Sequence, residues 1–243
     1  MRILAISLDL DDTLWPILPV MARAEERLDA WLRRHCPAVA ETHPIPAMRA
    51  LRERIAAENP HLAHDFTAQR LLTLQAALEP HGYGADHQEL AFAEYIAARN
   101  EVEPYVDALP ALRRLAARVP LVSVTNGNAD LERIGLRHYF ATCVSAREHG
   151  MAKPAPAIFH AACARLGIAP EYVLHVGDDP LLDVHGARTA GLRAAWLNRT
   201  GAAAPSGLLA ADFTVTDLLD LAERVEALLD APAGTAPSHT AAS

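Results

Sequence analysis

The segment Ser7-Leu8-Asp9-Leu10-Asp11-Asp12-Thr13-Leu14-Trp15-Pro16 sets three aspartates within four positions, directly after an apolar run. Neighbouring carboxylates repel, so such a gathering implies a cation. Side chains two apart on an extended chain share a face. Asp9 and Asp11 are therefore expected to face one spot while Asp12 turns aside. A hard divalent ion, most simply Mg²⁺, takes one or two carboxylates together with waters and a substrate phosphate. Taken alone, the segment also reads as a solvated acidic loop.

Three further segments carry matching chemistry. Thr125-Asn126-Gly127 joins a hydroxyl, an amide and a flexible backbone, a set suited to phosphate oxygens and equally to a plain turn. Gly177-Asp178-Asp179, with Asp183 following, again sets acid beside acid after the apolar run YVLHV. Lys153-Pro154 lies just ahead of a helix start, where free N–H groups and the helix dipole favour anions. Lys153 is also the only lysine among 22 Lys and Arg residues. Lysine is a compact point charge and arginine a planar fork, so a lone lysine here points to a site that needs the smaller cation.

The elements that must position these groups can be read from patterning. Short apolar runs at 2–8, 121–124, 143–145, 172–176, 193–197 and 213–215 read as buried parallel strands. Helical patterns at 110–118, 129–138, 156–166 and 180–190 separate them. The last two begin on Pro156 and Pro180 and stop at Gly167 and Gly191, the expected asymmetry of helix ends. Alternating strand and helix predicts an α/β fold, a doubly wound, Rossmann-like and mostly parallel sheet. In such sheets ligands sit beyond the carboxyl ends of the strands, where Asp9, Thr125 and Asp178 fall. From 16 to 103 the alternation gives way to helices near 19–34, 45–58, 65–80 and 86–100. The expected organisation is therefore an α/β core over 1–15 and 104–230, an inserted helical-bundle cap over 16–103, and a disordered tail over 231–243.

Bulk properties exclude several classes. At 243 residues and 51% hydrophobic content the chain can bury a sizeable core. A formal net charge of -8, with no Lys/Arg block, argues against a nucleic-acid partner. The apolar start is too short for a signal peptide or a membrane span. Three cysteines, far apart and without a CxxC pair, suggest neither a thiolate zinc site nor a disulfide framework. A cytoplasmic, non-membrane protein is expected, with monomer and homodimer both open.

Taken in order, DLDDT, TNG, KP and GDDPLLD resemble the four motifs of the haloacid dehalogenase superfamily. The helical insertion after the first motif resembles that superfamily's α-helical cap. The resemblance implies phosphoryl transfer through an aspartyl-phosphate. Asp9 would attack phosphorus, and Asp11 would protonate the leaving oxygen and then activate water. Mg²⁺ would be held by Asp9, the Asp11 backbone carbonyl and Asp178. Thr125 and Asn126 would bind phosphate oxygens, and Lys153 would neutralise charge, with Asp179 or Asp183 orienting it. Dehalogenases of the superfamily do not use an acid two residues after the nucleophile, so Asp11 favours phosphoryl chemistry. Phosphonate-cleaving relatives need a cap lysine, and this cap has none. Phosphomutases share all four motifs and stand as the alternative enzyme; a non-catalytic protein-binding module is the alternative outside enzymes.

The expected substrate is a small-molecule phosphate ester. DDTLWP and GDDPLLDVHGARTAG most resemble the bacterial branch of flavin mononucleotide and riboflavin-precursor phosphatases. In the cap, Trp15 is a candidate to cover a flavin or base, or else to pack the hinge. The stretch 59–70 offers His61, His64, Asp65 and Arg70, with His64 and Arg70 as candidate contacts to a substrate's polar end. A helix cap or a solvated loop is the competing reading of that stretch.

Overall fold

The strand nearest the amino terminus, β1 (Ala5–Leu8), occupies the middle of a six-stranded, wholly parallel sheet in the computed structural model, which describes residues 2–231. The other strands are β2 (Leu121–Thr125), β3 (Thr142–Ser145), β4 (Val173–Gly177), β5 (Arg193–Leu197) and β6 (Phe213–Val215), in the spatial order β3-β2-β1-β4-β5-β6. Strands buried on both faces need apolar residues at successive positions. Ala5 to Leu8, Leu121 to Thr125 and Val173 to Gly177 are buried throughout. The two sheet faces still differ. Ile6, Leu8, Leu174 and Val176 join one apolar cluster with Leu112, Leu115, Leu221 and Val225, whereas Ala5, Val122, Val124 and Val173 join another with Phe159 and Ala162.

Eleven α-helices accompany the sheet among the described residues. The first five lie between β1 and β2: α1 (Ile17–His35), α2 (Pro37–Thr42), α3 (Ile45–Glu58), α4 (Phe66–Leu78) and α5 (Ala85–Arg99). Then follow α6 (Ala108–Ala116), α7 (Leu131–Ile134), α8 (Ala146–His149), α9 (Pro156–Leu166), α10 (Gly186–Thr189) and α11 (Leu218–Asp230). The inserted helices have their own apolar cluster. On α1, Ala24, Leu28, Trp31 and Leu32 recur at helical spacing, and on α5 so do Ala91, Tyr95 and Ala98.

Helix boundaries follow local chemistry. Asp65 caps α4 by accepting from Ala68 N at 2.9 Å, and Asp217 caps α11 by accepting from Leu219 N at 2.9 Å and Asp220 N at 2.8 Å. Pro156 opens α9, and Gly167, at φ +66°, closes it.

Two expected helices differ. The pattern over 129–138 yields only the short α7, because Gly135 turns left-handed at φ +82° and ends it, and a 3₁₀ turn follows at Arg137–Tyr139. The pattern over 180–190 yields a π-helical segment at Pro180–His185 before α10. There Asp183 N and Val184 N both donate to Asp179 O, at 3.0 and 3.2 Å. The patterning also missed three helices, the short α2 and α8 and the 13-residue α11. The tail expected to be disordered lies, beyond Ala231, outside the described residues. No helix among those described is long and apolar enough to cross a membrane.

The chain leaves and re-enters the sheet region side by side, with Tyr105 N donating to Leu14 O at 2.9 Å. A buried strut braces this junction. Arg199, just after β5, grips both carboxylate oxygens of Asp107 at 3.2 and 2.9 Å and also donates to Thr13 O at 3.1 Å. Leu218 N adds a third bond to Asp107 at 2.7 Å. Burial opposes the Asp107 charge, but the bonds from Arg199 and Leu218 outweigh it and hold the carboxyl below its ordinary range. Asp107→Ala strands the Arg199 guanidinium in a largely dry site. It should cost about 3 kcal/mol, read in thermal unfolding as a fall of roughly 6–12 °C in Tm.

Candidate active site

Order β3-β2-β1-β4 means the chain moves to opposite sides of β1, so a crevice opens beyond the carboxyl ends of β1 and β4. Asp9 follows β1 and Asp178 follows β4. Asp9 N donates to Val176 O at 2.9 Å, extending the ladder one residue past the strand and fixing where its side chain emerges. The backbone then turns sharply. Asp12 has φ +57°, a left-handed conformation that aspartate tolerates better than most residues, and its Oδ1 accepts from Ile17 N at 2.9 Å. Asp12 thus caps the start of α1.

Lys153 lies at the centre of the site. Its side chain is 3% exposed, and Nζ reaches Asp9 Oδ1 at 2.5 Å and Asp183 Oδ1 at 2.6 Å. Burial alone would lower its pKa, but the Asp183 and Asp9 carboxylates outweigh burial and raise it, so Lys153 stays charged. Asn126 fixes the lysine's backbone by donating from Nδ2 to Lys153 O at 3.0 Å and accepting from Lys153 N at 2.7 Å. This departs from the role expected of Asn126: its amide side chain is committed at both ends to shaping the lysine loop. Thr125 lines the same cavity, and its Oγ1 accepts from Gly127 N at 3.0 Å.

Asp183, rather than Asp179, orients Lys153. The π-helical segment turns the Asp183 side chain back under β4, where its Oδ2 accepts from Asp179 N at 3.0 Å. Asp179 caps that same segment by accepting from Leu181 N and Leu182 N at 2.7 and 2.8 Å. Gly177 has no room for a side chain, since a Cβ there would meet Asp183 Cγ at 2.2 Å. Below Asp183, His175 Nε2 lies 3.1 Å from Asp183 Oδ1, and His175 Nδ1 lies 2.8 Å from Ser7 Oγ. Burial raises the Asp183 pKa, but Lys153 and His175 outweigh it and keep it ionised, while burial lowers that of His175. A neutral imidazole therefore donates from Nε2 and accepts at Nδ1 from the serine hydroxyl.

Asp9, Asp178 and Asp183 each offer a carboxylate oxygen within 4.8 Å of the others. Thr13 Oγ1 bridges two of them, at 3.4 Å from Asp9 Oδ2 and 3.3 Å from Asp178 Oδ1. Trp196 Nε1 donates to Asp178 O at 2.8 Å and steadies that loop. Burial lifts the Asp9 carboxyl well above its ordinary range, and burial with Asp183 pushes Asp178 up to about 7. One ammonium does not compensate three carboxylates. The donors are all hard oxygens, which suits Mg²⁺. Asp183 is taken up by Lys153, His175 and Asp179 N, whereas Asp9 Oδ2 and Asp178 Oδ1 meet only the long contacts from Thr13, so Asp9 and Asp178 are the side chains left to hold it.

Asp11 is held from the inserted helices. Arg99, at the end of α5 and 1% exposed, donates from Nη2 to both Asp11 oxygens at 2.8 and 2.7 Å. Trp15 Nε1 donates to Asp11 Oδ1 at 2.8 Å. Trp15 is fully buried and absent from the cavity lining, which corrects its candidacy as a cover for flavin or base. His64 is likewise absent from that lining, and Asp65 beside it is engaged as the cap of α4. Arg70 does line the cavity, a space of about 560 Å³ between the sheet edge and α1, α3, α4 and α5.

Arg99, Thr13, His175 and Ser7 were not found from sequence. Ser7 and His175 left a faint signal as lone polar residues in apolar strands; Arg99, 88 positions from its partner, left none.

A six-stranded parallel sheet with acid at two adjacent strand ends and a buried lysine between them defines a hydrolase of the haloacid dehalogenase type. The chain belongs to that family: the model for haloacid dehalogenase-like hydrolases matches residues 3–191. Its relatives include the 5-amino-6-(5-phospho-D-ribitylamino)uracil phosphatase of Escherichia coli, 32% identical over 200 residues that cover 81% of this chain and 84% of that one. They also include a phosphoserine phosphatase of Thermus thermophilus, 34% identical over 219 residues, covering 79% and 87%. Among solved structures, a 2-haloacid dehalogenase from Pseudomonas syringae pv. Tomato superposes with a TM-score of 0.87 at 35% identity, covering 93% of this chain and 100% of that one.

If a divalent ion joins this cluster, it binds the folded state alone. Mg²⁺ at a hundred times its Kd should then stabilise the protein by about 2.7 kcal/mol, seen as a rise of roughly 5–10 °C in Tm over an EDTA-treated sample. Asp178→Asn should abolish the rise; an Asp178→Asn protein that still responds to Mg²⁺ places the ion elsewhere.

Proposed function

We propose that this protein hydrolyses small-molecule phosphate monoesters with Mg²⁺, through an aspartyl-phosphate on Asp9. A phosphate of the riboflavin pathway, either the ribitylaminouracil phosphate named for the Escherichia coli relative or flavin mononucleotide, is the leading substrate candidate. The observation that carries the reading is the pair formed by Asp9, in contact with Lys153 Nζ, and Asp11, a second carboxylate two residues on and tethered separately by Arg99.

The residues divide the work by their surroundings. Asp9 supplies the carboxylate oxygen that bonds to phosphorus as the ester P–O bond breaks. Asp11, in its acid form, gives its proton to the departing alkoxide. In the second half Asp11, now a carboxylate, takes a proton from water as that oxygen bonds to phosphorus. The acyl-phosphate bond then breaks, and Asp9 is restored. Lys153 holds a fixed positive charge against Asp9 and the transferring oxygens, and Asp183 with His175 fixes where that charge lies. Thr125 and backbone N–H groups beside Asn126 receive phosphate oxygens. Mg²⁺, when bound by Asp9, Asp178 and the Asp11 carbonyl, supplies the charge that offsets the phosphate dianion.

The likeness to a haloacid dehalogenase favours a second reading, attack of Asp9 on a halogen-bearing carbon. That chemistry releases halide and has no use for a proton donor. Asp11 and its two tethers weigh against it.

Several measurements separate the two. Asp9→Asn should abolish hydrolysis of p-nitrophenyl phosphate, and acid-quenched wild-type enzyme should carry phosphorus label. Lys153→Arg should lower kcat by roughly a hundredfold or more, since charge survives but placement does not. Arg99→Met, which unties Asp11, should cost roughly tenfold to a hundredfold in kcat. Halide release from 2-chloropropionate with no phosphate-ester turnover would favour the dehalogenase reading.

A further inference from the structure

Three guanidinium groups from the inserted helices, Arg52, Arg70 and Arg99, line the active-site cavity. Arg99 is bound to Asp11. The other two have no such partner: among the described residues neither Arg52 nor Arg70 has a carboxylate oxygen within 4.0 Å. For Arg70 this is unusual, because it is only 3% exposed. A buried charge is ordinarily paired.

Two acids close to this part of the fold are committed elsewhere. Glu25 and Asp29 line a small void beside Arg70, but Glu25 binds Arg49 at 2.5 Å and Asp29 binds Arg33 at 2.6 Å. Arg70 is instead held by Tyr95. Its Cζ lies 4.2 Å from the Tyr95 ring centroid, and its Nη2 donates to the Tyr95 hydroxyl at 3.2 Å. The ring contact and this one hydrogen bond hold the guanidinium in place, and its other N–H groups have no protein acceptor among the described residues. Such a group is preorganised to donate, in a plane, to something that enters the cavity. The inserted helices contribute one carboxylate to the lining, Glu53, which is exposed and adjacent to Arg52 on α3.

We propose that Arg70, with Arg52, forms a second subsite that binds a planar head group bearing acceptor oxygens, at the end of the substrate remote from its phosphate. This rests on the phosphatase reading and adds what that site selects. Two kinds of head group share the chemistry: a carboxylate, and the dione edge of a pyrimidine or related ring. Both present in-plane oxygens to a guanidinium fork. A polyol or an exocyclic amino group does not.

Matched esters test this and separate the two sources. In one arm kcat/KM for 3-phosphoglycerate is compared with that for glycerol 1-phosphate, which carries a hydroxymethyl group in place of the carboxylate. In the other, uridine 5′-monophosphate is compared with cytidine 5′-monophosphate, which replaces the exocyclic 4-oxo group with an amino group and so loses the dione edge. Wild-type enzyme should prefer the oxygen-bearing member of at least one pair by about tenfold or more, chiefly through KM. Arg70→Gln should bring that ratio close to one. Absence of preference in both pairs overturns the proposal, as does an Arg70→Gln loss equal for both members of a pair. If Arg70→Gln does not fold, Arg52→Gln carries the test: a lowered ratio supports the subsite and an unchanged ratio overturns it. Turnover of p-nitrophenyl phosphate with none of the four esters hydrolysed overturns this subsite alone, whereas failure on p-nitrophenyl phosphate as well removes the phosphatase reading and this one with it.

Discussion

A single buried ammonium between two carboxylates organises this site. Lys153 Nζ touches Asp9 and Asp183 at once, and all three side chains are at most 9% exposed. Leaving any one of them unpaired in that setting is costly, so the segments carrying them must meet. They come from the end of β1, from the π-helical segment that follows β4 and from the loop before α9, with Lys153 and Asp9 144 positions apart. The sheet order brings the strand ends together, and Asn126 closes the lysine loop onto the end of β2. The fold is thereby the means by which one positive charge reaches two distant acids.

That balance is incomplete without a further cation. Lys153 is shared almost evenly in space, at 2.5 Å from Asp9 and 2.6 Å from Asp183, so one positive charge faces two buried carboxylates with Asp178 beside them. Asp9 and Asp178 are left with burial working against their charge. A carboxyl lifted in this way is a poor nucleophile, because the neutral acid does not attack. A divalent ion held by Asp9 and Asp178 would restore the anion and set its direction together, so cofactor and nucleophile are two aspects of one electrostatic arrangement.

Much of this was legible in sequence, for a physical reason. Aspartates, a lone lysine and a Thr-Asn-Gly turn stand out where apolar runs end, and strand ends are where an open parallel sheet binds ligands. The strands were legible because burial on both faces leaves little room for polar residues. What escaped were contacts that depend on register and on side-chain direction. Asp179 and Asp183 differ by one turn, and only the π-helical geometry of Pro180–His185 decides which meets Lys153. Trp15 reads equally as a cover for a flavin or base and as packing for the hinge, and only the fold shows its indole turned inward to Asp11. Arg99 is one of many arginines on helices, and nothing local marks it as the one that reaches the acid.

The absence of other lysines also has a structural sense here. A guanidinium is wider than an ammonium and donates in a fixed plane. Between Asp9 and Asp183 the space is closed by Gly177, where even a methyl group would strike Asp183, and by Asn126, which pins the backbone of residue 153 itself. Elsewhere in the molecule the fork is an advantage: Arg199 spans both oxygens of Asp107, Arg27 both of Glu101, and Arg114 both of Glu226. Arginine serves where two oxygens of one carboxylate must be held, and lysine at the one buried point where two carboxylates must share a single small charge.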